Sequence, residues 1–365
     1  MRNITTFSAL ALTSAVVLAG CTATDSGQTD PATTTVSEVA GLSVVVSTTI
    51  LGSVVQDIVR CETGDDATVS IVMPIGADPH DFQPSSAQVA QMAAADLVVV
   101  NGLGLEEGLL PALESIESDG AAVLEIAAQL DPLPFGKTTA SSSEEYDDEH
   151  DHDDDHGTEE HDDDHATDED HDDHREDDAD EDGHDHDHAG GLDPHFWLDM
   201  ERMADAAELI GERLHDIAGG GYEECGDKVA EEIEAAERSV EEILESVPEG
   251  QRVLVTDHDA LAYFALRYDY TVAGVVIPGG STLGEPNSQE LAALVEVIQT
   301  RDVPAIFGNT ALGQDVLDVL AEEAGRDVQV VSLFVGSLGG PESEATSYIE
   351  MMTTNALRIA GALTD

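Results

Sequence analysis

Short apolar runs alternate with longer amphipathic stretches along most of this chain, and the alternation predicts strands and helices in turn. Residues 42–47 read as a buried strand, and 51–60 as the helix that follows it. Further strands are predicted at 68–73, 97–100 and 122–126. A helix in this half opens at Ser85, with Gln88 three positions on to complete a capping box. The same rhythm restarts later, with strands at 252–255, 271–277, 305–307 and 328–333 and a helix near Asn287, which can cap with Glu290. Between the two series lie helices at 200–217 and 223–246, separated by Gly219-Gly220-Gly221. In the second of these, Val229, Ile233, Ala236, Val240 and Ile243 recur at steps of four and three. Strands that are apolar on both faces and alternate with helices belong to parallel sheets covered on both sides. The expectation is an α/β fold of two lobes, each a four-stranded parallel sheet with flanking helices, joined by one long helix. The expected boundaries are 41–220 for the first lobe, 221–249 for the connecting helix and 250–365 for the second lobe.

The pattern fails between residues 144 and 188. This tract holds 27 of the 78 acidic residues, one of the 13 basic residues and ten of the 14 histidines. It has almost nothing apolar to bury, so it is expected to be an insertion that is disordered without metal. Its histidines, His150, His152, His156, His161, His165, His171, His174, His184, His186 and His188, fall in His-x-His and His-Asp-Asp-His spacings. Each pair can hold Zn2+ weakly with help from carboxylates, which suits a collecting tract. The formal charge of the whole chain is -65. Such a field repels phosphate backbones and excludes nucleic acid as a partner, while it concentrates cations. An acidic, lysine-poor surface also follows from a salty habitat or a GC-rich genome, so charge alone assigns no metal.

The N-terminus reads as a targeting segment. Arg2 supplies a positive start, residues 8–19 are apolar but too short to span a bilayer comfortably, and Leu18-Ala19-Gly20-Cys21 resembles a bacterial lipobox. Residues 1–20 are therefore expected to be a lipoprotein signal peptide, with Cys21 lipidated at the extracytoplasmic face of the membrane. Residues 21–40 form a polar tether. A plain secretory signal with a chance cysteine is the alternative. Cys61 and Cys225 remain, in a compartment where a disulfide between them is stable.

Three histidines stand apart from the tract. His80 follows Asp78-Pro79, His195 follows Asp193-Pro194, and His258 follows Asp257 at the mouth of a predicted strand that ends at Val255. Ligands of α/β sheets bind beyond the C-terminal strand ends, and the three positions can converge between the lobes. The prolines stiffen the backbone that presents His80 and His195, and the nearby Asp can accept from a ring N–H. Three imidazoles with one position left over suit zinc. His215, inside an amphipathic helix, is read as structural.

These pieces carry a resemblance. Met73-Pro74 through His80-Asp81-Phe82-Gln83-Pro84, Asp193-Pro194-His195-Phe196-Trp197-Leu198-Asp199, the stretch from Thr256 to Phe264, Glu285-Pro286-Asn287-Ser288 and Tyr348-Ile349-Glu350-Met351-Met352 occur in this order. Together with the placement of the acidic insertion they resemble the zinc-binding proteins of bacterial ABC transporters, the ZnuA type within a wider group that also takes up manganese and iron. The resemblance implies a rigid connecting helix, a metal held between the lobes by His80, His195 and His258, and delivery of Zn2+, as transported ligand, to an ABC permease by a lipid-anchored monomer. Manganese-type members carry Glu at the third position, where this chain has His258, and imidazole is the softer ligand. Their acidic ligand in Phe-x-Asp-Ser is replaced by Gly336 in Phe334-Val335-Gly336-Ser337, and the Glu that some zinc members place before the first histidine is Pro79. Water is the first choice for the fourth ligand, and a group from the tract the second.

Other functions compete. A manganese or iron receptor comes from the same group. A surface zinc hydrolase would use the three histidines and a water, with Asp257 or Asp259 as base, but no His-Glu-x-x-His motif accompanies them. A zinc-storage or adhesion protein is a third class.

Overall fold

The computed structural model describes residues 41–64, 68–136, 191–325 and 328–364. Cys21 and the ten tract histidines lie outside the described residues, as do the leader and tether. The first lobe begins β1 (Ser43–Val46), α1 (Thr49–Thr63), β2 (Thr68–Ile71), α2 (Ser86–Ala93), β3 (Leu97–Val100), α3 (Leu110–Ser118), β4 (Val123–Glu125). Two long helices follow, α4 (Met200–Ala218) and α5 (Tyr222–Glu245). The second lobe runs β5 (Val253–His258), α6 (Ala262–Tyr268), β6 (Thr271–Ile277), α7 (Ser288–Arg301), β7 (Ala305–Asn309), α8 (Asp315–Glu323), β8 (Gln329–Leu333), and α9 (Tyr348–Thr364) closes the chain.

Among the described residues each lobe holds a four-stranded sheet, in the orders β2-β1-β3-β4 and β6-β5-β7-β8, with every pairing parallel. The inner strands β1, β3, β5 and β7 are buried on both faces, and the edge strands β2, β4, β6 and β8 are more exposed. Val44, Val46, Leu97 and Val99 face the core shared with α1, α4 and α5, while Val45, Val98 and Val100 face the one beneath α2 and α3. Capping follows the expected chemistry. Ser85 and Gln88 form the capping box of α2, and Asn287 and Glu290 that of α7.

Two boundaries differ from expectation in ways that matter for the site. Strand β5 runs on to His258 instead of stopping at Val255. Polar side chains do not end it, because His258 still pairs with Ile277 of β6 and the Asp257 carboxylate accepts the Asn309 N–H of β7 at 2.6 Å. The connecting helix stops at Glu245, and its buried stripe takes in Glu237 and Leu244 while Ala236 and Ile243 are only half-buried. Glu237 is tolerated there because Arg267 donates to it at 2.6 Å. Helix α5 packs against α4, α1 and α9, and Cys225 in its first turn is bonded to Cys61 of α1, with Cα atoms 5.8 Å apart. Next to β4, a short antiparallel bridge pairs Pro134 with Leu192. Its hydrogen bonds run from Phe135 N–H to Gly191 O and from Asp193 N–H to Leu133 O.

Helices α4 and α5 touch backbone to backbone at Gly211 and Gly226. A Cβ on Gly226 would lie 2.8 Å from Ala207 O and 2.9 Å from the Gly211 Cα. Gly226→Val is therefore expected to lower the unfolding free energy by about 1–3 kcal/mol through overpacking. Gly226→Ala should cost less, because alanine regains about 1 kcal/mol of helix propensity. Chemical denaturation monitored by far-UV circular dichroism measures both, and a wild-type midpoint for the valine variant would contradict the close helix crossing.

Candidate metal centre

The three histidines arrive from different elements. His80 lies on the loop between β2 and α2, His195 immediately precedes the single 3-10 turn Phe196–Leu198 that leads into α4, and His258 is the last residue of β5. All three are buried, at 3%, 1% and 2% exposure. Ring centroids lie 5.5 Å apart for His80 and His195, 6.0 Å for His80 and His258, and 5.4 Å for His195 and His258. One ligand nitrogen from each lies within 4.8 Å of the others, and among the described residues no further His, Cys, Asp or Glu joins the cluster. His215 is elsewhere, in the last turn of α4, with Nδ1 2.9 Å from Gly220 O.

Carboxylates orient two of the rings. Asp193 Oδ1 lies 2.8 Å from His195 Nδ1 and also accepts the His195 backbone N–H at 2.9 Å. Asp257 Oδ1 stands in the same relation to His258, at 2.8 Å from both the ring Nδ1 and the backbone nitrogen. With a carboxylate as acceptor the ring proton sits on Nδ1, and Nε2 offers its lone pair inward. Asp78, from the same Asp-Pro-His triplet as Asp193, does not follow suit. It accepts the His80 backbone N–H at 3.1 Å and makes no hydrogen bond to the ring.

Burial separates the charge states of the two pairs. Desolvation, with the other two histidines adding, pushes His195 well below the usual 6.5, so it stays neutral. Asp193 is pushed up to about 7 by desolvation, against the His195 backbone N–H and the charges of His258 and His80. Desolvation also disfavours the charged forms of His258 and Asp257, but their mutual hydrogen bond and attraction prevail, so that His258 is raised and Asp257 lowered from the usual values. Asp259 is raised to about 6 by desolvation and then by repulsion from Asp193.

A second ring of groups fixes the backbone around the histidines. The buried Glu106 carboxylate accepts from Ser47 Oγ at 2.6 Å and from the backbone N–H groups of Asn101 and Gly102. The Asn101 amide, held in this way, donates to Pro194 O at 3.0 Å, just before His195. The Tyr263 hydroxyl accepts from Leu133 N–H and donates to Asp193 O. The links from Glu106 to Ser47, from Asn101 to Pro194 and from Tyr263 to Leu133 and Asp193 are not visible in sequence spacing, since they join residues far apart in the chain. Gly336 sits against the site too. A Cβ there would be 2.9 Å from Pro79 Cδ and 3.2 Å from Asn309 Nδ2, so the proline ring occupies the space a side chain would need.

The cluster suits a borderline-soft cation. Among the described residues, His195 Nε2 and His80 Nδ1 are buried without a hydrogen-bond partner. Leaving such an atom unpaired costs about 1–3 kcal/mol, a cost that coordination removes for the nitrogen that binds.

A model of the family described as zinc-uptake complex component A, periplasmic, matches residues 44–362. The chain is 25% identical to the manganese-binding lipoprotein MntA of Halalkalibacterium halodurans over 96% of this chain and 95% of that protein. It is 24% identical to the iron-binding protein YfeA of Yersinia pestis, covering 84% and 83% of the two. The periplasmic zinc binding protein TroA from Treponema pallidum has the same fold, with a TM-score of 0.66 at 21% identity over 89% of this chain and 100% of that one. A further relative, 23% identical over 85% of this chain and 87% of its own, is the metal ABC transporter substrate-binding lipoprotein SsaB of Streptococcus sanguinis. The chain belongs to the periplasmic zinc-uptake complex component A family, a family of metal-binding transport proteins and not of enzymes.

Proposed function

We propose that this protein captures Zn2+ between its lobes with His80, His195 and His258 and delivers it to an ABC permease for uptake, while Cys21 anchors it by lipid at the extracytoplasmic face of the membrane. The observation that carries the choice of zinc is the all-imidazole cluster. A carboxylate at the third position would harden the donor set toward Mn2+, and this chain has His258 there, buried and oriented by Asp257. Relatives named for manganese, iron and zinc match at similar identity, so similarity alone does not select the cargo. Water completes the coordination in this proposal, because Gly336 offers no side chain and no other ligand-type residue among those described joins the cluster. The ten histidines of the 144–188 tract act as weak collecting sites.

Replacing His80, His195 or His258 by Ala is expected to weaken Zn2+ binding by at least about tenfold each, the low end for damage to a preorganised site. Calorimetric titration of metal-free protein reads this directly, and an unchanged affinity removes that residue from the site. Zinc preference by itself proves little, since the Irving–Williams order already places Zn2+ above Mn2+. The informative measurement is the ratio of the two affinities after His258→Glu, which should move toward Mn2+. A ratio that stays put means that His258 is not a ligand.

Deleting residues 144–188 should leave the lobes folded and the tight site intact, because a tract with almost nothing apolar contributes little to either core. Several weaker Zn2+ sites should disappear with it. In the intact chain those sites should weaken as pH falls through about 6.5, since a protonated imidazole cannot bind metal. Loss of the tight site on deletion would assign the fourth ligand to the tract instead of water.

A further inference from the structure

The three rings meet at one point but are not held alike. His195 and His258 each have a carboxylate against Nδ1, supplied by a residue one or two positions before them. For His80 the nearest carboxylate oxygen to Nδ1 is Glu107 Oε1, at 3.8 Å, beyond hydrogen-bond distance. Its restraint comes through the backbone, by way of Asp78 Oδ1. The other oxygen of that carboxylate accepts from Thr282 Oγ1, which lies 204 residues further on and in the other lobe. One carboxylate is thus shared between the loop that presents His80 and residues 278–287, the loop between β6 and α7.

That second loop is shaped for close approach. Gly279 sits at φ +93, in the region that favours glycine. Gly280 is buried against the ring of Phe135, where a Cβ would come within 1.8 Å of Cζ, so no other residue fits without moving the ring. Thr282 itself is only half-buried. It contributes a single hydroxyl to a carboxylate, and a hydrogen bond to an ionised acceptor is roughly twice as strong as a neutral one. A parallel contact stands nearby, where Gly76 N–H donates to Ser337 Oγ at 2.8 Å, again from the His80 loop to the second lobe.

We propose that Thr282 is a positioning residue for the metal, donating from the second lobe to Asp78 so that His80 is fixed only while the lobes are together, and thereby setting how fast the metal leaves. The proposal rests on the assignment of the three histidines as ligands. Release of a metal from between two lobes requires at least one ligand to withdraw. The ring with no carboxylate hydrogen-bonded to it is positioned instead by way of Asp78, which is itself held by an interlobe contact.

The test uses the full-length protein loaded with one equivalent of Zn2+ and mixed with excess chelator in a stopped-flow instrument. Thr282→Val keeps the shape of the side chain and removes the donor. It should speed release by about tenfold, as expected for loss of a partly exposed hydrogen bond to a charged group. Thr282→Ser restores the hydroxyl and should return the rate to within about twofold of wild type. The unfolding midpoint of the metal-free protein should be the same in all three. Wild-type release from Thr282→Val, or release from Thr282→Ser as fast as from the valine variant, overturns the proposal. So does a change confined to the metal-free midpoint, which would make Thr282 merely structural. A wild-type protein that binds no Zn2+ would sink the ligand assignment itself, and this proposal with it. Tight wild-type binding with an unaltered Thr282→Val rate sinks this proposal alone.

Discussion

Holding three imidazoles close together in a dry interior is the constraint on which the rest of this structure depends. Water would otherwise satisfy each ring nitrogen, and burial without a partner works against folding. The chain meets this by placing the rings where backbone is already rigid, at the end of β5, ahead of the turn into α4 and on the stiff Asp78-Pro79 loop. Asp193 and Asp257 then fix ring direction, and Glu106, Asn101 and Tyr263 fix the backbone that carries them. The cores on both faces of each sheet supply the stability that such a site consumes.

The lobes are tied together by a second set of charges a short way from the metal centre. Arg267 of α6 reaches Glu237 of α5 and Glu201 of α4, with Asp199 at the N-terminus of α4 beside it. Trp197, two residues beyond His195, donates to Val335 O of the second lobe, and Tyr348 of α9 donates to Trp197 O. The turn that carries His195 is thereby held from both lobes. His80 belongs to the first lobe and His258 to the second, so the site is assembled across a joint whose rigid part is the His195 turn.

Much of this was legible in the chain before folding was considered, and the limits have physical reasons. Strand and helix positions followed from the apolar pattern because the inner strands β1, β3, β5 and β7 are buried on both faces. The end of β5 did not, because Asp257 and His258 look like loop residues until their partners on β6 and β7 are known. Glu237 is not part of the apolar repeat that predicts this helix, and its partner Arg267 comes 30 residues later. His80 and His195 stood out through the repeated Asp-Pro-His triplet and His258 through its place after a predicted strand, yet identical triplets do different work. Asp193 orients its ring, while Asp78 turns to Thr282. Local sequence sets what a side chain can accept, and tertiary neighbours decide what it does accept.

The bridge between Pro134 and Leu192 has one more consequence. Residues 136 and 191 flank this bridge, and a single hydrogen bond, from Phe135 N–H to Gly191 O, joins the two ends of the described chain there. An exit and a return so close together make a socket that is neutral to length. Each doubling of an inserted segment adds only about 0.6 kcal/mol of closure entropy, and neither end has to shift to accommodate it. Residues can be gained or lost there over evolutionary time without disturbing His195, which lies only a few positions beyond the socket. The scaffold is thus free to vary the length of the segment between residues 136 and 191 while the geometry of the centre stays constant.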